Sequence, residues 1–209
     1  MSNYHQNIKD ALPDPKRVKK IKKDLESKGV KYIYSNWIDF LGSPKTKPMP
    51  ISDFEDLCAG KGPQFAVHSV SFVPELTPAD NDQIPVPDLD SLVICPWDKT
   101  CAWVFADLYW NDKPYDVCPR MTLKRQIKKC EKSDLKFFVG IEPEFFLMKW
   151  DGDKPVKAID RDPIPLRRQA FGYDAEYSID GMNFLKEIID ILNNDLKWDL
   201  HDVVAEGAY

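Results

Sequence analysis

Gly140-Ile141-Glu142-Pro143-Glu144-Phe145-Phe146-Leu147 follows directly on the apolar run 135–139. An apolar run of that length predicts a buried strand, here one that continues through 145–147. Side chains alternate along a strand, so Glu142 and Glu144 share one face, about 7 Å apart. Two ionised carboxylates that close, flanked by Ile and Phe, repel each other and call for a cation. All-oxygen donors suit Mg²⁺ or Mn²⁺ better than zinc. Spacing alone leaves a second reading open, in which both Glu lie on the wet face of an edge strand.

The rest of the composition narrows the class. The chain has 209 residues, 43% hydrophobic and 30% charged, as expected of a globular protein with one large or two small domains. Its net charge of −5 argues against nucleic acid as the main partner, because phosphate binding needs a basic surface. Residues 1–14 lack the apolar core of a signal peptide, and no apolar run is long enough to span a membrane. The expected location is cytoplasmic, with no membrane partner. The five cysteines (58, 95, 101, 118 and 130) are odd in number and contain no Cys-x-x-Cys. They read as buried reduced thiols rather than a disulfide framework or a zinc knuckle. His5, His68 and His201 are far apart and form no local metal motif.

Taken in order, 1–14 is a tail and 15–28 a helix with Val18, Ile21 and Leu25 on one face and Gly29 as its stop. Residues 30–40 read as a strand, and 45–51 as a second, proline-bearing edge strand. Ser52-x-x-Glu55 predicts a capped short helix to Ala59, ended by Gly60. Residues 64–72 read as strand or loop, 74–87 as a long loop, and 91–95 and 101–109 as strands. The polar stretch 111–114 is a domain boundary, and 119–132 a helix with Leu123, Ile127 and Cys130 inward. Beyond the Glu-Pro-Glu strand, 150–177 reads as irregular. Asp180 is expected to cap a helix to Asn193 that buries Phe184, Ile188 and Leu192, and 198–206 is expected to be a strand.

Several separated stretches resemble one family, glutamine synthetase and the related γ-glutamyl amide ligases. The octapeptide above is similar to that family's Glu-Pro-Glu-Phe-Phe metal strand. Trp37-Ile38-Asp39-Phe40-Leu41-Gly42, followed by Lys45 or Lys47, resembles an early Asp-x-x-Gly-x-x-Lys segment. Pro87-Asp88, Cys95-Pro96-Trp97 and Asp107 resemble the sheet that follows, and Cys118-Pro119-Arg120 an Asp-Pro-Arg helix start with Cys in place of Asp. His201 to Tyr209 resembles the start of a further metal strand. The match covers the N-terminal half of a typical member.

The resemblance implies an α+β fold: a β-grasp-like N-terminal domain over 15–112, then the start of a catalytic α/β domain over 113–209, incomplete at Tyr209. It implies Glu142, Glu144 and Glu206 as ligands of Mg²⁺ or Mn²⁺, with ATP as substrate and the remaining catalytic residues beyond Tyr209. The implied reaction joins the γ-carboxylate of glutamate to ammonia or another amine through a γ-glutamyl phosphate. The chain alone would be inactive, and active sites would form between subunits of a homo-oligomeric ring. Where ammonia-using members carry Phe-Asp-Gly-Ser-Ser, this chain has Phe65-Ala66-Val67-His68-Ser69. Ala66 cannot accept a hydrogen bond from an ammonium ion through its side chain, so a larger or less basic amine is expected. Ala66, His68 and Ser69 mark that acceptor loop. The alternatives are a catalytically incomplete paralogue acting as a binding or regulatory subunit, and an unrelated metal-binding α/β domain.

Overall fold

A short helix α1 (Ile8–Ala11) and a longer helix α2 (Pro15–Ser27) open the chain. The computed structural model describes residues 5–71, 76–158 and 172–204. They fall into two units, Met1–Phe138 and Val139–Tyr209.

Local chemistry explains the bounds of α2. Asp14 caps its start, accepting from the Lys16 and Arg17 amides at 3.3 and 3.2 Å, and Pro15 fills the first position, which needs no donor. At the far end Gly29 adopts φ +85°. Its N–H donates to Glu26 O, and that of Val30 to Leu25 O, each at 3.0 Å. This is a Schellman stop, and it requires the left-handed conformation that glycine adopts freely. Val18 and Leu25 are buried beneath the helix, as the apolar period predicts.

The first unit is built on a mixed sheet. Strand β1 (Tyr32–Ile38) pairs antiparallel with β2 (Pro44–Pro50), which lies at the edge, as its prolines predict. After α3 (Phe54–Cys58) and α4 (Val67–Ser71) come β3 (Ile84–Pro87) and the two-residue β4 (Val93–Ile94). The ten-residue β5 (Cys101–Trp110) is the hub. It pairs parallel with β1 and antiparallel with β3, β4 and the two-residue β6 (Lys113–Pro114).

One core cluster gathers Val18, Leu25, Ile33, Phe54, Leu57, Ala102 and Val104. A second gathers Trp37, Phe65, Val67, Val86, Leu108, Tyr109, Cys118 and Met121. Helix α5 (Pro119–Lys132) occupies the residues expected of it, but Leu123 is 55% exposed and Met121 is its buried residue. The sequence period picked out Leu123, Ile127 and Cys130. The side that meets the sheet instead carries Arg120, Met121 and Lys124, because the sheet offers carboxylates there.

Three other expectations change in this unit. Residues 67–71 are helical rather than strand or loop, with Phe65 and Gln83 forming an isolated bridge. Residues 84–87 leave the expected loop as β3. The helix near Glu55 forms, yet Ser52 Oγ bonds Asp53 Oδ1 at 2.8 Å and no side chain caps the helix start.

The opening stretch, which runs from the end of the first unit into the second, does not form the expected strand. Residues 135–147 are in no strand, and Phe138, Ile141 and Phe146 are 78%, 82% and 73% exposed. A strand exists only through hydrogen bonds to a neighbour, and among the described residues none runs alongside until Leu147, whose O accepts from the Ala158 amide at 3.0 Å where the next hairpin begins. Strands β7 (Met148–Asp151) and β8 (Lys154–Lys157) then form a hairpin where irregular chain was expected. Gly152, at φ +60°, opens the two-residue Gly152-Asp153 turn between the paired Asp151 and Lys154, a hairpin signal passed over in the sequence.

Helix α6 (Ala175–Asp190) starts before Asp180, because Asp174 provides the cap, accepting from Glu176 and Tyr177 amides at 3.0 and 3.2 Å. Phe184 is 45% exposed, and Ile188 and Leu192 are half-buried rather than buried. Residues 198–204 form no strand. Leu200 N–H donates instead to Asn193 Oδ1 at 2.9 Å.

Candidate functional site

Glu142 and Glu144 sit on the extended segment between α5 and β7, and both are exposed. The segment touches α6 through an edge-to-face contact of Phe145 with Phe184, centroids 6.2 Å apart. The two carboxylates are hard oxygen donors open to solvent, which fits Mg²⁺ or Mn²⁺. Among the described residues no three His, Cys, Asp or Glu side chains gather to hold a metal. Glu206, the third expected ligand, lies outside the described residues.

The loop expected to meet the acceptor belongs to the first unit, and its start is held by several contacts. Phe65 stacks on Trp37 at 4.1 Å with the rings 5° from parallel. Its backbone exchanges hydrogen bonds with Gln83 at 2.8 and 3.2 Å, and Lys47 Nζ donates to Gln64 O at 2.5 Å. Ala66 O accepts from the Ser69 amide at 3.2 Å and from Ser69 Oγ at 2.8 Å. Val67 is fully buried, whereas Ala66 and His68 are half-buried and Ser69 exposed.

The Asp39 segment is a tight turn with a plain physical basis. Asp39 Oδ1 accepts from the Leu41 and Ser43 amides at 2.9 and 2.8 Å, and Gly42 takes φ +82°. Lys45 Nζ lies 3.3 Å from Asp39 Oδ2, so Lys45, not Lys47, completes the motif. Burial alone would raise the Asp39 pKa, but the Ser43 and Leu41 amides and Lys45 hold it below the usual range.

A buried ionic network, unseen in the sequence, joins β5, the residue after β3, and α5. Arg120 Nε donates to Asp107 Oδ1 at 2.9 Å, and its Nη2 pairs with Asp88. Lys124 Nζ reaches Asp107 at 2.5 Å and Asp88 at 3.3 Å. Arg120 also lies over the Phe105 ring, 5.9 Å from its centroid. The residue types were visible in three separate motifs, but their meeting was not. The available signal was an Asp inside the apolar strand 101–109.

Burial pushes the Asp88 pKa up, but Lys124 and then Arg120 more than offset it, leaving it below the usual range. A carboxylate with a depressed folded pKa adds stability above its unfolded pKa of about 3.9 and loses it as pH falls through the folded value. Stability should therefore hold down to about pH 4 and then fall. Asp88→Asn should flatten that acid limb in denaturation midpoints measured against pH.

Residues 116–208, which include Glu142, Glu144 and the start of α5, match the family model described as glutamine synthetase, catalytic domain. The glutamine synthetase of Rhizobium meliloti (strain 1021) is 33% identical over 181 residues, covering 87% of this chain and 39% of that protein. The glutamate–methylamine ligase of Methyloversatilis universalis is 32% identical over 127 residues, 60% of this chain and 28% of that one. A solved GmaS/ADP complex superposes with a TM-score of 0.68 at 21% identity, over 88% of this chain and 41% of its own. The mixed α+β architecture is thus shared with that structure.

The chain belongs to the glutamine synthetase family. It spans about two fifths of the length of the first of these relatives.

Proposed function

We propose that this protein is, or forms part of, an ATP-dependent glutamate–amine ligase. The observation that carries the reading is the match of 116–208 to the glutamine synthetase catalytic domain, with Glu142-Pro143-Glu144 inside it. In the reaction, a γ-carboxylate oxygen of glutamate attacks the terminal phosphorus of ATP and ADP leaves. The amine nitrogen then attacks the γ-carbonyl carbon, and phosphate leaves with the oxygen it took. Glu142, Glu144 and Glu206 would hold the divalent ions. Those ions, when bound, neutralise the meeting anions and fix their alignment. Glutamate, ATP and an amine are the partners, in a cytoplasmic homo-oligomeric ring with sites between subunits. Among the described residues no helix is long and apolar enough to cross a membrane.

The first unit supplies the β-grasp-like domain over 15–112, with 113–209 beginning the catalytic one. The central parallel pair β1–β5, flanked by antiparallel β2 and packed beneath α2, supports the former. The start of the family match at residue 116 supports the latter.

Ala66, His68 and Ser69 face the acceptor. An alanine where ammonia-using members place a carboxylate leaves no side-chain acceptor for ammonium and opens space, which favours a substituted amine. The similarity to a methylamine ligase points the same way. Phosphate release by the intact protein, compared across ammonium and a panel of alkyl and less basic amines, tests this. We expect kcat/KM for at least one substituted amine to exceed that for ammonium by about tenfold or more, which corresponds to about 1.4 kcal/mol. A clear preference for ammonium would refute the loop assignment. Binding of glutamate with no turnover of any amine would select the incomplete-paralogue reading.

A further inference from the structure

The register of β4 on β5 places two of the five thiols opposite each other. Val93 pairs with Trp103 and Ile94 with Ala102, so the next pair outward is Cys95 and Cys101. The Cys95 amide donates to Cys101 O at 2.9 Å, which carries the ladder to that pair. Opposed residues of an antiparallel ladder present their side chains on one face. The Cys101 amide itself donates to Asp98 O at 3.0 Å, so a single bond joins the two cysteines at the ladder's end; opposed residues of such a ladder have Cα atoms about 4.5–5.5 Å apart, within the disulfide range of about 4.4–6.8 Å. Both cysteines are free and each is 6% exposed. The loop joining them presents Trp97 at 67% exposure, so the pair lies just beneath the surface. Asp98 Oδ2 accepts from Cys101 Sγ at 3.2 Å, which orients that sulfur from the same loop. Cys58 lies on α3, Cys118 at the start of α5 and Cys130 within it, so none of these faces another cysteine across a ladder.

We infer that Cys95 and Cys101 form a paired dithiol site that a small-molecule disulfide of the glutathione class converts to a cross-strand disulfide. The inference does not depend on the ligase reading. Cys101, deprotonated, attacks one sulfur of the oxidant, and the other sulfur leaves as a thiolate and takes up a proton. Cys95, deprotonated, then attacks the Cys101 sulfur of the mixed disulfide and expels the second thiol. One disulfide is reduced to two thiols, and the two protein thiols are oxidised to one disulfide. Burial, and next the neighbouring Cys101, push the Cys95 thiol up to about 11.

The test uses the intact, fully reduced protein, incubated with excess glutathione disulfide. Remaining thiols are then blocked with N-ethylmaleimide, and the protein is digested with trypsin. Lys99 separates the two cysteines into different peptides, and fragmentation of the linked pair by tandem mass spectrometry tells Cys101 from Cys118, which shares its peptide because Lys113 precedes Pro114. We expect the Cys95–Cys101 peptide pair to exceed any link involving Cys58, Cys118 or Cys130 by about tenfold, and to vanish on reduction. Recovery of Cys95 and Cys101 as blocked thiols, as separate glutathione adducts, or mainly in links to the other cysteines would overturn the inference.

Discussion

Glu144→Gln in the intact protein is expected to lower metal-dependent ligase turnover by about 10³-fold or more, with little change in folding stability. The size follows from the chemistry. A glutamate carboxylate, a triphosphate and a transferring phosphoryl group must meet, and each charge lost from the metal cage leaves that repulsion uncovered. The selectivity follows from the structure. Glu144 is exposed on an extended segment, so replacing it disturbs no packed core. Surface substitutions of this kind usually shift stability by less than about 0.5 kcal/mol. In the metal-free protein the neutral amide also relieves repulsion from Glu142. Steady-state rates across a Mg²⁺ titration, beside a denaturation curve, separate the two effects. Turnover with unchanged metal dependence would make the segment structural.

Arg120→Ala is expected to destabilise the first unit by about 2–4 kcal/mol. The guanidinium bridges Asp88 and Asp107, whose side chains are only 17% and 9% exposed. Without it Lys124 is the cation left between the two carboxylates, which repel each other in a partly desolvated space, although Asp88 keeps its bond from the Asp90 amide at 3.2 Å. Removing one partner of a buried ion pair costs about 3–5 kcal/mol. The Arg120 side chain is 27% exposed, and solvent screening lowers the figure accordingly. Arg120→Lys should recover only part of the loss, since an ammonium cannot reproduce the planar fork that contacts both carboxylates. Urea denaturation of the three proteins checks the order. A loss below about 1 kcal/mol for Arg120→Ala would reduce the network to an ordinary surface pairing.

Where local chemistry decides structure, the sequence could be read closely. Pro15 and Gly29 announce both ends of α2, and the prolines of β2 place it at a sheet edge. The Asp39 turn was recognisable as a motif before its hydrogen bonds were known. Readings failed where the answer lay with a distant partner. The apolar run 135–139 carries the pattern of a buried strand, but pattern does not say what covers it. Helix α5 carries two possible inward sides, and Asp88 and Asp107 on the sheet selected the charged one. Asp180 and Asp174 are both competent helix caps, and nothing in their own chemistry ranks them. The candidate site was legible as residue types at a spacing. The ionic network was not, because Asp88, Asp107, Arg120 and Lys124 come from separate elements of the chain.

The central claim is that the γ-carboxylate of glutamate is phosphorylated before the amine enters, and oxygen tracing tests it most directly. The intact protein is supplied with ATP, an accepted amine, Mg²⁺ and glutamate labelled with ¹⁸O in its γ-carboxylate, and the released phosphate is analysed by mass spectrometry. The account predicts one ¹⁸O atom in each phosphate, carried over when the amine displaces it from the γ-glutamyl carbon. Phosphate free of ¹⁸O, formed at the rate of ATP consumption, would mean that water and not glutamate receives the phosphoryl group, and would contradict the account.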